Sequence, residues 1–208
     1  NDPYALRRAA IQIIENLVGN QVPFDLRQAL INAAPLLPIP AGEETVEDVL
    51  VFVKNRLENY LVEKGIRTSV VRAVLAAQGH DPYSADRAAT ELDEQVTKPD
   101  WPTLLDAYAR CARISRDQPE GEVRADALRL AEEKELLAAI RRAEARLDGT
   151  IPTFVGALSD AEPAITAFFD SVLVMDDDEA IRLNRVALVQ RVVLLADGLV
   201  DLSYLEGF

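Results

Sequence analysis

The chain has 208 residues, 49 % of them hydrophobic and 27 % charged, enough for one domain or two small ones with a real core. Its net charge of −13 argues against a broadly cationic nucleic-acid surface, although a local arginine cluster on an acidic protein still reaches phosphates. One cysteine, Cys111, excludes an internal disulfide and a cysteine-based zinc site, and the dominance of Ala and Leu over a 6 % aromatic content favours helix over sheet.

In chain order, Asp2-Pro3 opens a predicted helix over 4–18, with Asp2 as its cap and Leu6, Ala9, Ala10, Ile13, Ile14 and Leu17 as its apolar stripe. Gly19-Asn20 stops it. A second helix starts at Phe24 or Asp25, and Pro35, Pro38 and Pro40 then force a loop through Gly42. Thr45 and Asp48 approximate a capping box for a helix running to Lys64, with Val46, Val49, Leu50, Val53, Leu57, Tyr60 and Leu61 as its stripe. Gly65 ends it. Helices over 68–78, closed by Gly79, and from Tyr83 or Ser84 to Val96 follow.

Lys98-Pro99-Asp100-Trp101-Pro102 breaks the pattern and marks the expected boundary between a first domain, residues 1–100, and a second, residues 101–208. The second begins with a helix over 103–115 and a loop over 117–122. The longest continuous helical pattern then runs over 123–147, with Leu130, Leu137, Ile140, Ala143 and Leu147 inward. Beyond Gly149-Thr150-Ile151-Pro152, Ser159 with Glu162 reads as a capping box for a helix carrying Phe168 and Phe169. An acidic knot, Asp176-Asp177-Asp178-Glu179, precedes the last helix, where Ile181, Val186, Val189, Val193 and Ala196 recur at helical spacing and Asn184, Arg185 and Arg191 interrupt. No segment alternates with period two, so the expected class is all-α, a helical bundle. No apolar run reaches the roughly 18–20 residues that cross a bilayer. The opening NDPYALRRAA is not a signal peptide, and a reducing compartment, the cytoplasm, is expected. The absence of an initiator Met leads us to expect a segment of a longer chain.

Little in the chain suggests catalysis. His80 is the only histidine, too few ligands for a metal site and without a GxSxG elbow for a triad. No glycine-rich phosphate loop is present. The acidic knot reads as a solvated turn and helix cap, a divalent-cation site being the sharper alternative, since the alternating spacing of a calcium loop is missing. Arg110, Arg113 and Arg116 lie three apart and share a slowly turning helix face. They serve either the helix C-terminus or a nucleic-acid contact. Arg182, Arg185 and Arg191 pair either with the neighbouring acids Asp178 and Glu179 or with a polyanion. Arg141, Arg142 and Arg146 read as a wet face.

The end motifs carry more than their chemistry. NDPYALRRAA at residues 1–10, DLRQAL at residues 25–30 and FFDSVLVMDDDEAIRLNRVALV at residues 168–189 together resemble the β subunit of bacterial-type glycyl-tRNA synthetase. There the opening reads roughly D-P-F-A-L-R-R-A-A, and the later motif FFD-x-V-x-VM…R-x-NR-x-AL. The resemblance covers nearly all of the chain. It implies the tail of an HD-like helical region over 1–100 and a DALR-like anticodon-binding bundle over 101–208. The stretch LLDAYARCARISRD at residues 104–117 resembles the start of that bundle. It further implies glycine tRNA and an α subunit as partners. ATP and Mg are used at the α-subunit site, with no cofactor and no catalytic residue in this chain, and the parent complex is a glycine–tRNA ligase. On this resemblance Arg110, Arg113, Arg116 and Lys134 supply charge to the tRNA and Tyr108 an aromatic, with Arg182, Arg185 and Arg191 as weaker candidates. A helical scaffold that joins subunits without touching RNA is the competing expectation.

Overall fold

A computed structural model describes residues 3–208, the side chains from Ala5 onward. Asp2, the expected first cap, lies outside the described residues. The chain is all-α and divides into two compact units, one ending at Asp93 and one running Glu94–Phe208.

The first unit holds α1 (Pro3–Gly19), α2 (Leu26–Ala33), α3 (Glu43–Glu63), α4 (Thr68–Gln78) and most of α5 (Pro82–Gln95). Its axis is α3, whose Val46, Leu50, Val53, Leu57 and Leu61 are buried at three- and four-residue steps against α1, α2 and α4. The helix starts at Glu43 after Gly42, not at a Thr45–Asp48 box. The two glutamates of its first turn favour the dipole without any side-chain cap. It ends in a Schellman motif: the Ile66 amide donates to Leu61 (3.3 Å) and the Gly65 amide to Val62 (2.9 Å). Gly65 sits at φ +93°, the left-handed conformation the motif demands. At the end of α1 the same pair of bonds forms one step later than expected. Gln21, at φ +57°, takes the left-handed position instead of Gly19 or Asn20. Only Ala10 and Ile14 of the expected α1 stripe are buried; Leu6 and Ile13 face outward. Asp81 caps α5 by accepting from the Ser84 amide (3.1 Å) and also takes the Phe24 amide (3.2 Å), tying the loop before α2 to the α4–α5 turn.

The second unit holds α6 (Trp101–Ser115), α7 (Ala131–Glu144), α8 (Ile151–Ser171) and α9 (Glu179–Val193), closed by short 3-10 turns at 194–196 and 202–204. The continuous helix expected over 123–147 is not one. Residues 116–130 are loop apart from a 3-10 turn at Ala125–Ala127, and α7 begins only at Ala131. Besides the bonds of that turn, the loop finds backbone partners on α9. Asn184 accepts the Arg124 amide (2.7 Å) and donates to the Arg124 carbonyl (3.1 Å), and Gln190 donates to Pro119 (3.0 Å). The expected break at Ser159 is also absent. Thr150 caps one 21-residue helix with Pro152 in its first turn, and Ser159 is an exposed residue inside it. Glu162 accepts from the Thr166 hydroxyl (2.7 Å) instead of closing a capping box. Pro163 has no N–H to donate to the Ser159 carbonyl, on the exposed side of the helix.

Asp178 caps α9, accepting from the Ala180 (2.9 Å) and Ile181 (3.3 Å) amides, so Asp178→Ala should cost about 1 kcal/mol, read as a shift in urea midpoint at unchanged slope. Residues 184–189 are all buried. A helix covered on every side is the centre of its unit, which explains why its sequence shows a polar-interrupted run instead of one clean stripe.

Candidate functional site

The polar groups of α9 are used inwardly. Arg185, with a side chain only 8 % exposed, donates from Nε to Glu133 (2.6 Å) and from Nη1 to both Asp176 (2.7 Å) and the Leu173 carbonyl (2.9 Å). Glu133 in turn accepts the amides of Arg129 (2.6 Å) and Leu130 (2.9 Å), capping α7. Burial works against its charge, but the Leu130 amide, Arg185 and the Arg129 amide together hold its carboxyl below the usual range. Asp176 is likewise lowered, first by the Asp178 amide and, against some burial, by Arg185. Among the described residues every buried side-chain nitrogen and oxygen has a partner. The acidic knot is therefore divided in use: Asp176 partners Arg185 and Asp178 caps the helix. Arg182 donates to the Asp176 carbonyl (2.9 Å). Arg191 pairs with Glu144 through two bonds of 2.5 and 2.6 Å, which, with burial opposing, raise its pKa above the ordinary guanidinium value.

Arg110 and Arg113 of α6 and Arg116 at its C-terminal cap are separated by their rotation about the helix. Arg110 lies over the Phe169 ring, 4.5 Å from its centroid, on the α8 side. Arg113 is exposed and bonds Asp106 at 3.2 Å. Arg116, exposed, lines an open cleft of about 1010 Å³ formed by α6, the end of α7, α9, the 118–123 loop and the closing segment. The cleft also presents Glu144, Gln190, Arg191, Asp201 and Phe208. Tyr108 forms part of its wall. Its hydroxyl donates to the Val193 carbonyl (3.1 Å), and its ring meets Phe154 edge-on at 6.4 Å and Phe208 at 6.3 Å. Burial, then the charges of Asp201, Cys111 and Asp197, push the phenol well above its ordinary range. Cys111 beneath is pushed up to about 12 by burial and is an inert core thiol. Lys134 is exposed on α7.

The roles of two residues are not legible in the sequence. Glu133 and Asn184 do their work through chain segments 52 and 60 residues away. The only local trace was polar residues standing inside apolar runs. Among the described residues no group of three or more His, Cys, Asp or Glu is arranged to hold a metal ion, and no helix is long and apolar enough to cross a membrane. His80 lends its backbone carbonyl to the Leu26 amide at 2.9 Å.

An all-α chain with a mixed-charge cleft and scattered outward cations is the class of protein defined so far, and its relatives are aminoacyl-tRNA ligases. Residues 1–76 match the family model described as glycyl-tRNA synthetase beta subunit. The chain is 33 % identical over its whole length to glycine–tRNA ligase, chloroplastic/mitochondrial 2, of Arabidopsis thaliana, covering 20 % of that protein. It is 34 % identical over 99 % of its length to glycine–tRNA ligase beta subunits of Anaeromyxobacter sp. (strain K) and Rhodospirillum centenum, covering 31 % of each. These matches support the chain as a member of the glycyl-tRNA synthetase beta-subunit family, of whose curated relatives it spans a fifth to a third in length.

Proposed function

We propose that this chain is the tRNA-binding portion of a glycyl-tRNA synthetase β subunit and contacts the anticodon arm. Residues 1–100 would be the tail of an HD-like helical region and residues 101–208 a DALR-like anticodon-binding bundle. The observation that carries the reading is similarity over at least 99 % of the chain to glycine–tRNA ligase beta subunits. In this reading glycine is activated with ATP and Mg at an α subunit, in the cytoplasm, and this chain's residues hold and orient the tRNA. Arg110, Arg113, Arg116 and Lys134 meet phosphates. The cleft walled by Tyr108 offers apolar surface and polar edges to an unstacked base. Arg185 and Arg191 are already paired with Glu133 and Glu144.

A second reading is favoured by one observation. The first unit leaves Leu6, Leu36 and Ile39 exposed at 66, 84 and 64 %, surface a subunit scaffold would cover.

Fluorescence anisotropy of the chain with a glycine tRNA transcript, beside an anticodon-substituted transcript and across a salt series, separates the two. Anticodon-arm binding is expected to weaken with salt, with anticodon substitution and with Arg113→Glu/Arg116→Glu. Equal affinity for both transcripts removes the anticodon from the reading, and no binding at low salt leaves the scaffold.

A further inference from the structure

The outer face of α7 stands apart from the acidic remainder of the chain. Rotation of 100° per residue puts Ala131, Ala138 and Ala145 in a row along the middle of that face. Lys134 and Arg141 flank the row on one side and Arg142 with Glu135 on the other, all exposed, and the exposed Arg146 follows just past the helix end. The opposite face, with Glu133, Leu136, Leu137, Ile140 and Ala143, is buried.

The two flanks differ in what they hold. Arg142 bonds Glu135 at 2.8 Å, and Arg146 pairs with Asp160 of α8. Lys134 and Arg141 have no ion pair or side-chain hydrogen bond among the described residues. Seven residues set them about 10.5 Å apart along the axis. Alanines between them let a strand approach the helix closely.

We infer that the outer face of α7 is a phosphate-backbone contact surface for RNA, with Lys134 and Arg141 as its cationic rail. The inference rests on the tRNA-binding reading and adds a place and a role to it. The face carries no aromatic to stack on a base and no amide or carboxamide to read one, so it supplies affinity and register but no sequence information. An acidic protein partner fits it less well. Protein interfaces are anchored by aromatic and large apolar side chains and are depleted in lysine, whereas this face offers alanine and charge.

The test uses the 208-residue chain with Lys134→Gln/Arg141→Gln and the stronger Lys134→Glu/Arg141→Glu. Both sites are exposed, and unchanged circular dichroism confirms the fold. Losing two phosphate contacts should reduce the slope of log K against log salt by about 1.4–1.8. It should also weaken the glycine tRNA and the anticodon-substituted transcript by the same factor. A wild-type chain that binds tRNA with a slope neither variant changes overturns the α7 assignment and leaves tRNA binding standing. A wild-type chain that binds no tRNA overturns both. Polyglutamate bound as tightly as tRNA, and lost in the same variants, replaces RNA with an acidic protein partner.

Discussion

Arg185→Ala is expected to destabilise the Glu94–Phe208 unit by about 3–5 kcal/mol, the usual cost of stripping one partner from a buried ion pair. Glu133, whose side chain is 3 % exposed, would keep its two amide bonds but lose its counter-ion, and the Leu173 carbonyl would lose its donor. Most of the cost lies in the charge left behind, not in the net worth of the pair. Arg185→Met combined with Glu133→Gln should therefore recover most of the stability, because the amide oxygen still caps α7 and no net charge remains buried. A double-mutant cycle in urea reads the coupling directly. A single-variant loss below about 1 kcal/mol would show that solvent reaches the pair.

The same network sets a pH dependence. Glu133 and Asp176 both have folded pKa values below the ordinary carboxylate range. Such groups stabilise the fold above the unfolded-state pKa values of about 4, and that contribution is lost as pH falls through the lower, folded values. Wild type should thus lose stability on acidification more steeply than Glu133→Gln. Parallel unfolding midpoints between pH 6 and 3 would contradict this.

Phe154→Ala is the second large effect. The ring is fully buried on α8 and meets Tyr108 edge-on with an interplanar angle of 90°. Truncation leaves a cavity and should cost about 3–5 kcal/mol, with about 0.5–1.5 kcal/mol tied to the aromatic pair. For a chain of this size that is a fall of roughly 6–20 °C in Tm. Tyr108 loses the wall that holds its ring, so the cleft beside Arg116 loosens as well. Phe154→Leu fills most of the space and should lose less than half as much stability. Equal losses for Ala and Leu would mean that ring geometry, not volume, decides the site.

Periodicity carried the helices whose cores are their own stripes. Val46, Leu50, Val53, Leu57 and Leu61 are spaced so that one face must be covered, and Gly65 follows where only a left-handed residue closes the turn. Helix 68–78 was readable for the same reason. The cationic residues were readable as residues, but not as a site. Steps of three place Arg110, Arg113 and Arg116 on one slowly turning surface, yet α8 takes the first onto Phe169 and the cleft takes the last.

Ser159-x-x-Glu162 has the spacing of a helix start, and 123–130 has helical composition, yet neither behaves so in the fold. A capping side chain acts only if the backbone before it leaves the helix, and Thr150, backed by Asp148 and Thr153, had already started this one. Within residues 116–130 the Arg124 backbone and the Pro119 carbonyl find equivalent partners in Asn184 and Gln190 from across the unit. Local patterning thus settles where a face must be buried and where a turn must be left-handed, since those costs fall within a few residues. Which charges are buried, which loops stay open and which cations remain outward depend on partners 50 to 60 residues away, and only close packing brings those groups within hydrogen-bonding distance.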